Sequence, residues 1–585
     1  MTDHILQGLI WPDPALPHAP EVFVRLSENA VLGPAGLTLA QGAAAHFDTY
    51  ANLFNLGTWA AHGPINNLAL RLTGTGTVQL HLWQVNETNK QTLFQADISL
   101  SAKGTSLPIT PTSPNGLLMW SITAHGSATL RAADFTGRAH ADPIRLAIVI
   151  TTFRREDAVR DTAGRIAAFL GAGHLPGAHL YIIDNGQSVS LPPSPHVTLI
   201  PNRNLGGAGG FARGLATARD ASSFTHVLFM DDDAACALEN LTRTSAFLRH
   251  ATDPATALAG AMISAAQPWL LWENGARFDQ VCHPQYPELD LRDLGAVTAM
   301  ELSASKPKPA DFYGGWWYFA FPIAAVRHDP FPFFVRGDDV TFALSNPFHM
   351  ATLNGVMSVQ DAFPAKASPQ TVYLDTRYHL HVHIVQPALR LGPLGTIRVA
   401  MRQVLHSIVR MHYETAAAQL LAWEDMLQGP SLFTDNITMA DKRAQIGRLL
   451  KTEKWGTVPA DLPPTRDATR PPEWRLMLLR ATLNGHMLPF FKLWGRAVTV
   501  PVADRGRVWS TSGASRAVFL DGAGQAYTVT HSKRRFARLM VRAAGLALRW
   551  VIAWPRLSQA YRTAFEPMTT PAFWAAQCAP FPDKG

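Results

Sequence analysis

The stretch THVLFMDDDA (residues 225–234) places three adjacent carboxylates directly after an apolar run. Such a run, bounded by polar residues, is typical of a strand buried on both faces of a parallel sheet. Asp231, Asp232 and Asp233 would repel one another at the strand end and raise each other's pKa. A hard divalent cation would remove this repulsion, because carboxylates two positions apart at such a turn can converge on one ion. The stretch therefore predicts a divalent-ion site, and an acidic N-cap for the next helix is the alternative.

Three earlier apolar runs extend this pattern: PIRLAIVITTFRRED (143–157), AHLYIIDNG (178–186) and HVTLIPN (196–202). Segments with helical spacing separate several of these runs. Buried strands alternating with helices predict an α/β domain with a parallel sheet. Ligands of such sheets bind at the carboxyl ends of the strands. Polar clusters follow each run here, so we expect the binding site at that edge of the sheet.

The flanking regions have different patterns. TVQLHLWQV (77–85) alternates apolar and polar residues with period two, and turn residues recur around it, which predicts strands. Beyond about residue 395 the spacing is mostly helical, with one strand-like insert before basic final helices. The predicted fold is a multidomain α/β protein, with an N-terminal β-sandwich over 1–140, a central Rossmann-like domain over 141–395 and a mainly helical C-terminal domain over 396–585.

Composition limits the classes of function. A formal charge of +7 over 585 residues is too small to indicate nucleic-acid binding, but it fits contact with anionic lipid or phosphorylated substrates. The three cysteines lie far apart, without disulfide-scaffold or zinc spacing, which favours a reducing compartment. We expect no signal peptide at the N-terminus. The apolar stretch 539–554 is too short and too charged to span a bilayer, so it lies on a membrane or packs on the protein.

Two further motifs combine aromatic and acidic residues. In DFYGGWWYFAFP (311–322), Trp316 and Trp317 are either a platform for sugar rings or part of a core strand. In PFFVRGDDVTFAL (332–344), Asp338 and Asp339 are either a general base with its neighbour or the acidic start of a helix. The residues alone leave both alternatives open.

The order of these motifs resembles that of the polymerising galactofuranosyltransferases of glycosyltransferase family 2. NLGGAGGFARG (204–214), GGWWYFAFP (314–322) and the paired aspartates at 338–339 carry most of the resemblance. Segments 47–62 and 498–529 are also similar to segments of that family. The resemblance covers most of the chain and implies that the central domain is a GT-A glycosyltransferase domain.

The resemblance also implies roles for particular residues. The uridine diphosphate (UDP) part of a sugar donor would be bound by Arg155, Asp184, Asn185, Asn204 and Asp232. A Mn²⁺ or Mg²⁺ ion would be bound by Asp231 and Asp233. Sugars would contact Glu273, Trp316 and Trp317. Asp339, beside Asp338, would be the base of an inverting single displacement.

Three positions depart from the pattern of that family. Its third metal ligand, a histidine, falls on a stretch with Gln360 and Asp361, and we predict Asp361 as the ligand because a carboxylate also suits a hard cation. Its tryptophan before the paired aspartates is Gly337 here. Its substrate-binding histidine falls on Asp375, with His379 as the nearest histidine.

The resulting hypothesis is transfer of galactofuranose from UDP-galactofuranose to a growing cell-surface glycan. The acceptor would be lipid-linked or polymeric. The protein would be a homo-oligomer that is cytoplasmic and peripheral on the inner face of the cell membrane. The alternatives are a family-2 enzyme with another nucleotide sugar, such as dTDP-rhamnose, and a non-catalytic glycan-binding protein.

Overall fold

The computed structural model of the chain describes residues 3–34, 36–138, 142–361, 368–466 and 469–578. The chain divides into two compact units. The first comprises Met1–Asp329, Phe342–Asp361 and Ala575–Gly585, and the second comprises Pro330–Thr341 and Ala362–Trp574. The three-domain division at residues 140/141 and 395/396 remains a prediction.

The N-terminal region of the first unit is built mainly of strands, as its period-two alternation predicts. Along strand β6, Val78, Leu80 and Leu82 are buried, whereas Gln79 and His81 between them are partly exposed. Its ten described strands form one hydrogen-bonded network, and their packing as a sandwich remains a prediction. The elements are β1 (Asp3–Gly8), β2 (Arg25–Leu26), β3 (Ala30–Gly33), β4 (Gly36–Leu39), β5 (Ala44–His46), α1 (Leu56–His62), β6 (Ala69–Val85), β7 (Lys90–Leu100), β8 (Thr105–Pro108), β9 (Leu117–Ala124) and β10 (Ala128–Arg138).

The rest of the first unit is a mixed α/β region, as the alternation of runs predicts. Its larger sheet has eight described strands in the order β13-β12-β11-β14-β20-β15-β16, with β21 beside β15. The first four strands in this order are parallel, and β20 joins β14 antiparallel. The elements are β11 (Leu146–Thr152), α2 (Glu156–Gly171), β12 (His179–Asp184), β13 (Val197–Pro201), α3 (Gly206–Asp220), β14 (His226–Asp231), α4 (Glu239–His250), β15 (Thr256–Ser264), β16 (Gln267–Glu273), β17 (Ala276–Phe278), β18 (Cys282–Pro284), α5 (Leu294–Ala304), β19 (Phe312–Tyr313), β20 (Phe319–Pro322), α6 (Asp338–Ser345) and β21 (His349–Gln360).

One buried arginine joins the two regions of the first unit. The guanidinium of Arg243, on α4, donates hydrogen bonds of 2.8 Å to the carbonyl oxygens of Gly8, Ala51 and Asn354. Apolar side chains from both regions pack in one core around these contacts. The N-terminal strands are therefore an integral part of this unit.

The second unit combines helices with a sheet that has the described strand order β22-β25-β24-β23. The strand-like insert predicted before the final helices is present as β24 and β25. The elements are α7 (Pro369–Val385), α8 (Pro393–Val409), α9 (Tyr413–Met426), α10 (Ser431–Asp435), α11 (Ala440–Leu449), β22 (Gly456–Thr457), α12 (Glu473–Thr482), α13 (Phe491–Trp494), β23 (Arg496–Pro501), β24 (Ala514–Leu520), β25 (Gln525–Thr530), α14 (Lys533–Phe565) and α15 (Pro571–Cys578).

The apolar stretch 539–554 lies within α14, and one face of this helix packs on the protein. Trp550 is fully buried, and its indole Nε1 donates to the hydroxyl of Thr396 at 2.9 Å. The hydroxyl of Tyr561 donates to the carbonyl of Met426 at 2.8 Å. Across the described ranges, no helix combines the length and the hydropathy that a bilayer crossing requires.

Candidate functional site

The carboxyl ends of the parallel strands bring several predicted residues to one edge of the sheet. Thr152, at the end of β11, pairs in register with Asp184 at the end of β12. Thr151 pairs with Asp231 at the end of β14. The edge expected to bind a ligand is therefore lined by residues that follow three separate apolar runs.

Asp184 and Asn185 shape the loop that leaves β12. The Asp184 carboxylate accepts hydrogen bonds of 2.8–2.9 Å from the backbone amides of Gly186, Ser188 and Val189, which holds the loop in a tight turn. Asn185 is buried, and its amide group donates to the carbonyl of Gly206 at 3.1 Å.

Asn185 is also hydrogen-bonded to a neighbour that the sequence did not single out. Its side-chain oxygen accepts from Asn202 at 2.9 Å, and its amide group donates to the hydroxyl of Thr151 at 3.2 Å. At the start of α3, the Asn204 side chain accepts from the amide of Gly206 at 3.2 Å. Asn185 and Asn204 therefore fix the loops around the start of α3.

Two glycines of the motif at 204–214 allow α3 to pack directly on β11. A Cβ atom at Gly210 would lie 1.8 Å from the Thr151 hydroxyl, and one at Gly214 would lie 2.2 Å from a Val149 methyl group. Neither position tolerates a side chain without a shift of the strand. These two glycines therefore allow close contact between helix and sheet.

Two carboxylates of the acidic triplet are paired with Arg155. Nη1 of Arg155, which precedes α2, lies 2.8 Å from Oδ2 of Asp233 and 3.6 Å from Oδ1 of Asp232. The hydroxyl of Thr152 donates to Oδ2 of Asp232 at 2.8 Å. Burial raises the pKa of Asp232, and the neighbouring charge of Arg155 opposes that rise.

The chemistry of this edge suits a hard cation. The three side chains of the triplet offer carboxylate oxygens, the donors that Mg²⁺ and Mn²⁺ prefer, and Arg155 is ion-paired with two of them. Within the residues described, no three His, Cys, Asp or Glu side chains are already grouped as a metal site.

A backbone bridge brings the segment of Asp361 to this edge. Ala235 and Val359 form an antiparallel bridge with amide–carbonyl distances of 3.2 and 2.8 Å. Asp233 and Asp361 each lie two residues from the bridge, on the same side of it. Gln360, the other candidate at this point, is buried against Met262, with its amide nitrogen 2.9 Å from the sulfur.

The two tryptophans after Gly315 have different surroundings. The Trp316 ring packs among Phe211, Phe229 and Phe342 with centroid separations of 4.9–5.7 Å, which is the core position that the sequence left open. The indole nitrogen of Trp317 donates to the carbonyl of Gly260 at 3.1 Å. Glu273 lies at the end of β16 and is also buried.

The predicted catalytic residues lie in the second unit, because α6 begins there with its first four residues and continues into the first unit. Asp338 and Asp339 are the first two residues of α6, and Oδ1 of Asp339 accepts from the amide of Val340 at 2.8 Å. Burial, with a smaller effect of the charge of Asp375, raises the pKa of Asp339 to about 6, and the amide of Val340 and the charge of Arg336 oppose this rise. Arg336 Nε lies 4.0 Å from Oδ1 of Asp375, whose pKa is likewise raised by burial.

The departure at Gly337 has a structural explanation. Gly337 has a φ of +83°, and a Cβ atom there would lie 2.3 Å from the Tyr378 ring. Tyr378 therefore occupies the space that a side chain at position 337 would need. The next residue, His379, directs Nδ1 to the carbonyl of Asp375 at 2.7 Å, and burial lowers its pKa to about 3, so that it is neutral at physiological pH.

Sequence reasoning missed three residues that position the predicted ones. Thr152 binds Asp232, Asn202 binds Asn185, and Arg336 lies beside Asp375 and influences Asp339. Each of them lies close in sequence to predicted site residues, in the segments 143–157, 196–202 and 332–344. Their partners are distant in the chain, however, and only the fold identifies them.

No protein-family model matches the chain. Two curated proteins are similar in sequence, and both are galactofuranosyltransferases named GlfT2. The protein of Mycolicibacterium smegmatis is 25% identical over 426 residues, which cover 66% of this chain and 64% of the relative. The protein of Mycobacterium tuberculosis is 23% identical over 419 residues, which cover 66% of this chain and 65% of the relative. These matches confirm the resemblance to galactofuranosyltransferases, over slightly less than two thirds of the relatives' length.

Solved structures match more distantly. A mannosyltransferase from Pyrobaculum calidifontis, in complex with GDP-Man and Mn²⁺, has a TM-score of 0.27 and 16% identity, covering 53% of this chain and 85% of its own. Glucosyl-3-phosphoglycerate synthase from Mycobacterium tuberculosis, in complex with Mn²⁺, UDP and phosphoglyceric acid, has a TM-score of 0.25 and 13% identity. The match covers 41% of this chain and 78% of that structure's chain.

Proposed function

We propose that this chain is an inverting, metal-dependent glycosyltransferase that transfers galactofuranose from UDP-galactofuranose to a growing cell-surface glycan. The observation that carries the proposal is the edge of the parallel sheet where Arg155 binds Asp232 and Asp233. The sequence similarity to two galactofuranosyltransferases also supports the proposal.

In this proposal, the residues at the sheet edge bind the donor. Arg155 is held by carboxylates and can turn to the diphosphate of UDP, since a guanidinium forms strong hydrogen bonds with phosphate oxygens. Asp184, Asn185 and Asn204 hold the loops that contact the nucleoside, because their side chains already fix the backbone there. A Mn²⁺ or Mg²⁺ ion bound by Asp231, Asp233 and Asp361 would supply positive charge to the diphosphate.

Asp339 is the proposed general base, with Asp338 beside it. The acceptor hydroxyl gives its proton to the Asp339 carboxylate while its oxygen bonds to the anomeric carbon. The bond from that carbon to the diphosphate oxygen breaks on the opposite side, so the configuration inverts. A pKa of about 6 suits this role, because the carboxylate is mostly ionised at neutral pH yet remains basic enough to accept the proton.

The remaining predicted residues are proposed to bind sugars. Glu273 and Trp317 contact sugars of the donor or acceptor, and Trp316, whose ring packs in the aromatic core, holds the neighbouring backbone in place. Asp375 and the neutral His379 bind acceptor hydroxyls in the second unit. The acceptor is a lipid-linked or polymeric glycan, and the protein acts as a homo-oligomer that is cytoplasmic and peripheral on the inner face of the cell membrane.

Turnover with a panel of nucleotide sugars tests the proposal. We expect transfer from UDP-galactofuranose and none from UDP-galactopyranose. Transfer from dTDP-rhamnose and from no other donor would establish the alternative, an enzyme that uses a different nucleotide sugar. Glycan binding without turnover of any donor would establish a non-catalytic protein.

Substitution of Asp233 tests the metal site. Asp233→Asn should remove most of the gain in UDP affinity that Mn²⁺ gives, because an amide is a poorer ligand for a hard cation than a carboxylate. Calorimetric titration of UDP with and without Mn²⁺ measures this gain. Asp220→Asn, at an exposed carboxylate at the end of α3, is the matched control. An unchanged metal dependence in Asp233→Asn would remove this residue from the ligand set.

A further inference from the structure

The first unit contains a cavity of about 240 Å³ that the proposed reaction does not use. Its walls come from β17, α5, β21 and the loop 305–311. On β21 it is lined by Thr352, which pairs with Ala259 of β15. The edge with the acidic triplet is five residues further along β15, where Ser264 pairs with Gln360. At about 3.3 Å per residue, roughly 17 Å of strand separates Thr352 from that edge.

The charged side chains around the cavity are basic. Its lining includes Arg277, Lys306 and Lys308, and no carboxylate of the described residues is part of it. Arg277 is ion-paired with Asp311 at 2.9 Å. Lys306 is ion-paired with Glu87 at 2.8 Å. For Lys308, the described part of the chain offers no carboxylate at ion-pair distance, so this lysine is the cation with which a ligand can pair.

The position of Lys308 is restricted by its neighbours. It stands between Pro307 and Pro309, and prolines restrict the backbone of this loop. Its ammonium group lies 5.4 Å from the centroid of the Phe312 ring. Burial lowers the pKa of Lys308, and the charge of Glu301 opposes this effect. An ammonium group that has lost water without gaining a close anion is stabilised by an anionic ligand.

Two buried side chains in the lining have atoms without hydrogen-bond partners. Within the described residues, neither Oγ1 of Thr352 nor Oδ1 of Asn274 makes a hydrogen bond. The two residues are only 1% and 5% exposed. Such atoms cost free energy, which a bound ligand or ordered water recovers. The hydroxyl of Thr352 can donate to an anion, whereas Oδ1 of Asn274 requires a donor such as a hydroxyl group.

The contents of the cavity can be narrowed by charge and by size. Lys308 also lines a second cavity, of about 570 Å³, but that one already holds the carboxylate of Asp253, paired with His349. The smaller cavity is several times larger than the roughly 30 Å³ that one water molecule takes up in the liquid. A single bridging water would leave most of it unfilled, and water brings no negative charge to Lys308.

We propose that this smaller cavity binds a small anion that also carries hydroxyl groups, the class that includes sugar phosphates and sugar acids. The anionic group pairs with Lys308 and accepts a hydrogen bond from Thr352, and a hydroxyl group donates to Asn274. The inference goes beyond the proposed function, because this site is separate from the edge of the sheet at which the donor would bind.

Ligand-detected NMR titration of the full chain tests this site, with glucose 6-phosphate, gluconate and uncharged glucose as probes. We expect wild type to bind at least one of the two anions and not to bind glucose. Lys308→Met should weaken anion binding at least about tenfold, because it removes the charge and keeps the length of the side chain. Lys103→Met, at an exposed lysine of the first unit, is the matched control and should bind as wild type does.

Thr352→Val provides a second comparison. It removes a hydroxyl without a partner, so thermal stability should not fall, yet anion binding should weaken about fivefold. Circular dichroism verifies that the variants fold. Equal binding by folded Lys308→Met and wild type, or no binding of either anion by wild type, overturns the inference.

Addition of UDP and Mn²⁺ separates this site from the donor site. Anion binding should be unchanged at saturating UDP, because the two sites lie at different places on the sheet. Loss of anion binding on addition of UDP would place the anion at the acidic triplet and overturn the inference. The Lys308 and Thr352 comparisons require neither UDP binding nor turnover, so failure of the proposed function is distinguished.

Discussion

Asp339 has the environment of a residue that exchanges protons near neutral pH. Burial raises its pKa to about 6, while the amide of Val340 and the charge of Arg336 keep it from rising further. Carboxyl groups whose pKa lies close to the working pH are frequent in active sites. As the second residue of α6, Asp339 could also serve only as an acidic residue that stabilises the helix N-terminus. The catalytic and the structural interpretation therefore require a test.

We expect Asp339→Asn to lower single-turnover sugar transfer at least about 100-fold while leaving UDP affinity unchanged, because the amide cannot accept the proton. Transfer by wild type should rise with pH through about 6 and then level off, as the carboxylate ionises. Asp338→Asn is the comparison, since adjacent carboxylates can share a proton. Normal transfer by Asp339→Asn with loss in Asp338→Asn would reassign the base. Normal transfer by both variants would exclude the pair from catalysis and leave stabilisation of the helix N-terminus as its role.

Arg336 should set the pH at which Asp339 works. Arg336→Gln removes a positive charge that opposes the rise in the pKa of Asp339, so the pH–rate profile should move to higher pH. A pKa higher by about one would cost roughly fivefold in rate at pH 6 and little at pH 8. Arg336→Lys keeps the charge and should restore most of the original profile. A profile unmoved by Arg336→Gln would contradict this coupling.

At the scale of single residues, the sequence predicts which side chains carry chemistry better than it predicts their partners. The run of three aspartates after an apolar strand is a local signal, and it predicts a charged strand end. The pairing of Asp232 with Thr152 and Arg155 depends on two strands and a loop that meet only in the fold. Trp316 shows the limit, because its sequence context suits both a core position and a sugar platform, and only the fold shows that its ring packs in the aromatic core.

Helix α3 shows how an element can depend on residues without side chains. Two of its glycines, Gly210 and Gly214, face Thr151 and Val149 of β11 where a methyl group would overlap their atoms. The helix can therefore approach the strand that ends at the acidic edge. Close packing of this kind is intolerant of added volume.

We expect Gly210→Ala to destabilise the protein by about 1–3 kcal/mol, because the strand must shift to admit the methyl group. Gly164→Ala is the control, since Gly164 lies in α2 and a methyl group added there would have no neighbouring atom within 4 Å outside its own helix turn. Gly164→Ala should stabilise the protein by about 0.5–1 kcal/mol, because alanine has a greater helix propensity than glycine. Urea unfolding of both variants measures the difference, and equal effects would contradict the packing role of Gly210.

The strands β11, β12, β13 and β14 were predictable because each is a short apolar run between turn residues. The insertion of β20 as an antiparallel neighbour of β14 was not predictable, since it depends on a pairing across about ninety residues. The region over 396–585 was predicted as mainly helical from its spacing. Its fourth strand, β23, pairs in parallel with β24, which local alternation does not reveal.

Across the first unit as a whole, a buried carboxyl group links the N-terminal region to α5. Glu301 is fully buried, and Asn55 donates to its Oε2 at 2.9 Å and to its backbone carbonyl at 2.8 Å. Burial raises the pKa of Glu301 from 4.5 to about 7. The folded protein therefore keeps this proton over a pH range in which the unfolded chain loses it.

We expect the free energy of unfolding to fall as pH rises from about 4.5 to about 7, by up to roughly 3 kcal/mol through this group alone. Glu301→Gln keeps an acceptor for Asn55 and cannot ionise, so its stability advantage over wild type should grow across that range. Glu28→Gln, at an exposed position, is the control. Chemical unfolding at several pH values measures the difference, and parallel pH profiles for Glu301→Gln and wild type would contradict this assignment.

The division of the chain into units was the least predictable feature at this scale. The segment Pro330–Thr341, with Asp338 and Asp339, belongs to the second unit although its neighbours on both sides belong to the first. Nothing in the composition changes at Asp329 or Phe342. Such a boundary depends on which residues pack together in the folded chain, and a single sequence does not show these contacts.

This discontinuity has a practical consequence for protein engineering. Because the chain leaves the first unit after Asp329, returns at Phe342 and leaves again after Asp361, no single cut yields either unit whole. Truncation libraries will therefore produce fragments that lack part of a hydrophobic core. Isolating the second unit calls for a redesigned gene that joins 330–341 to 362–574 through a linker in place of residues 342–361.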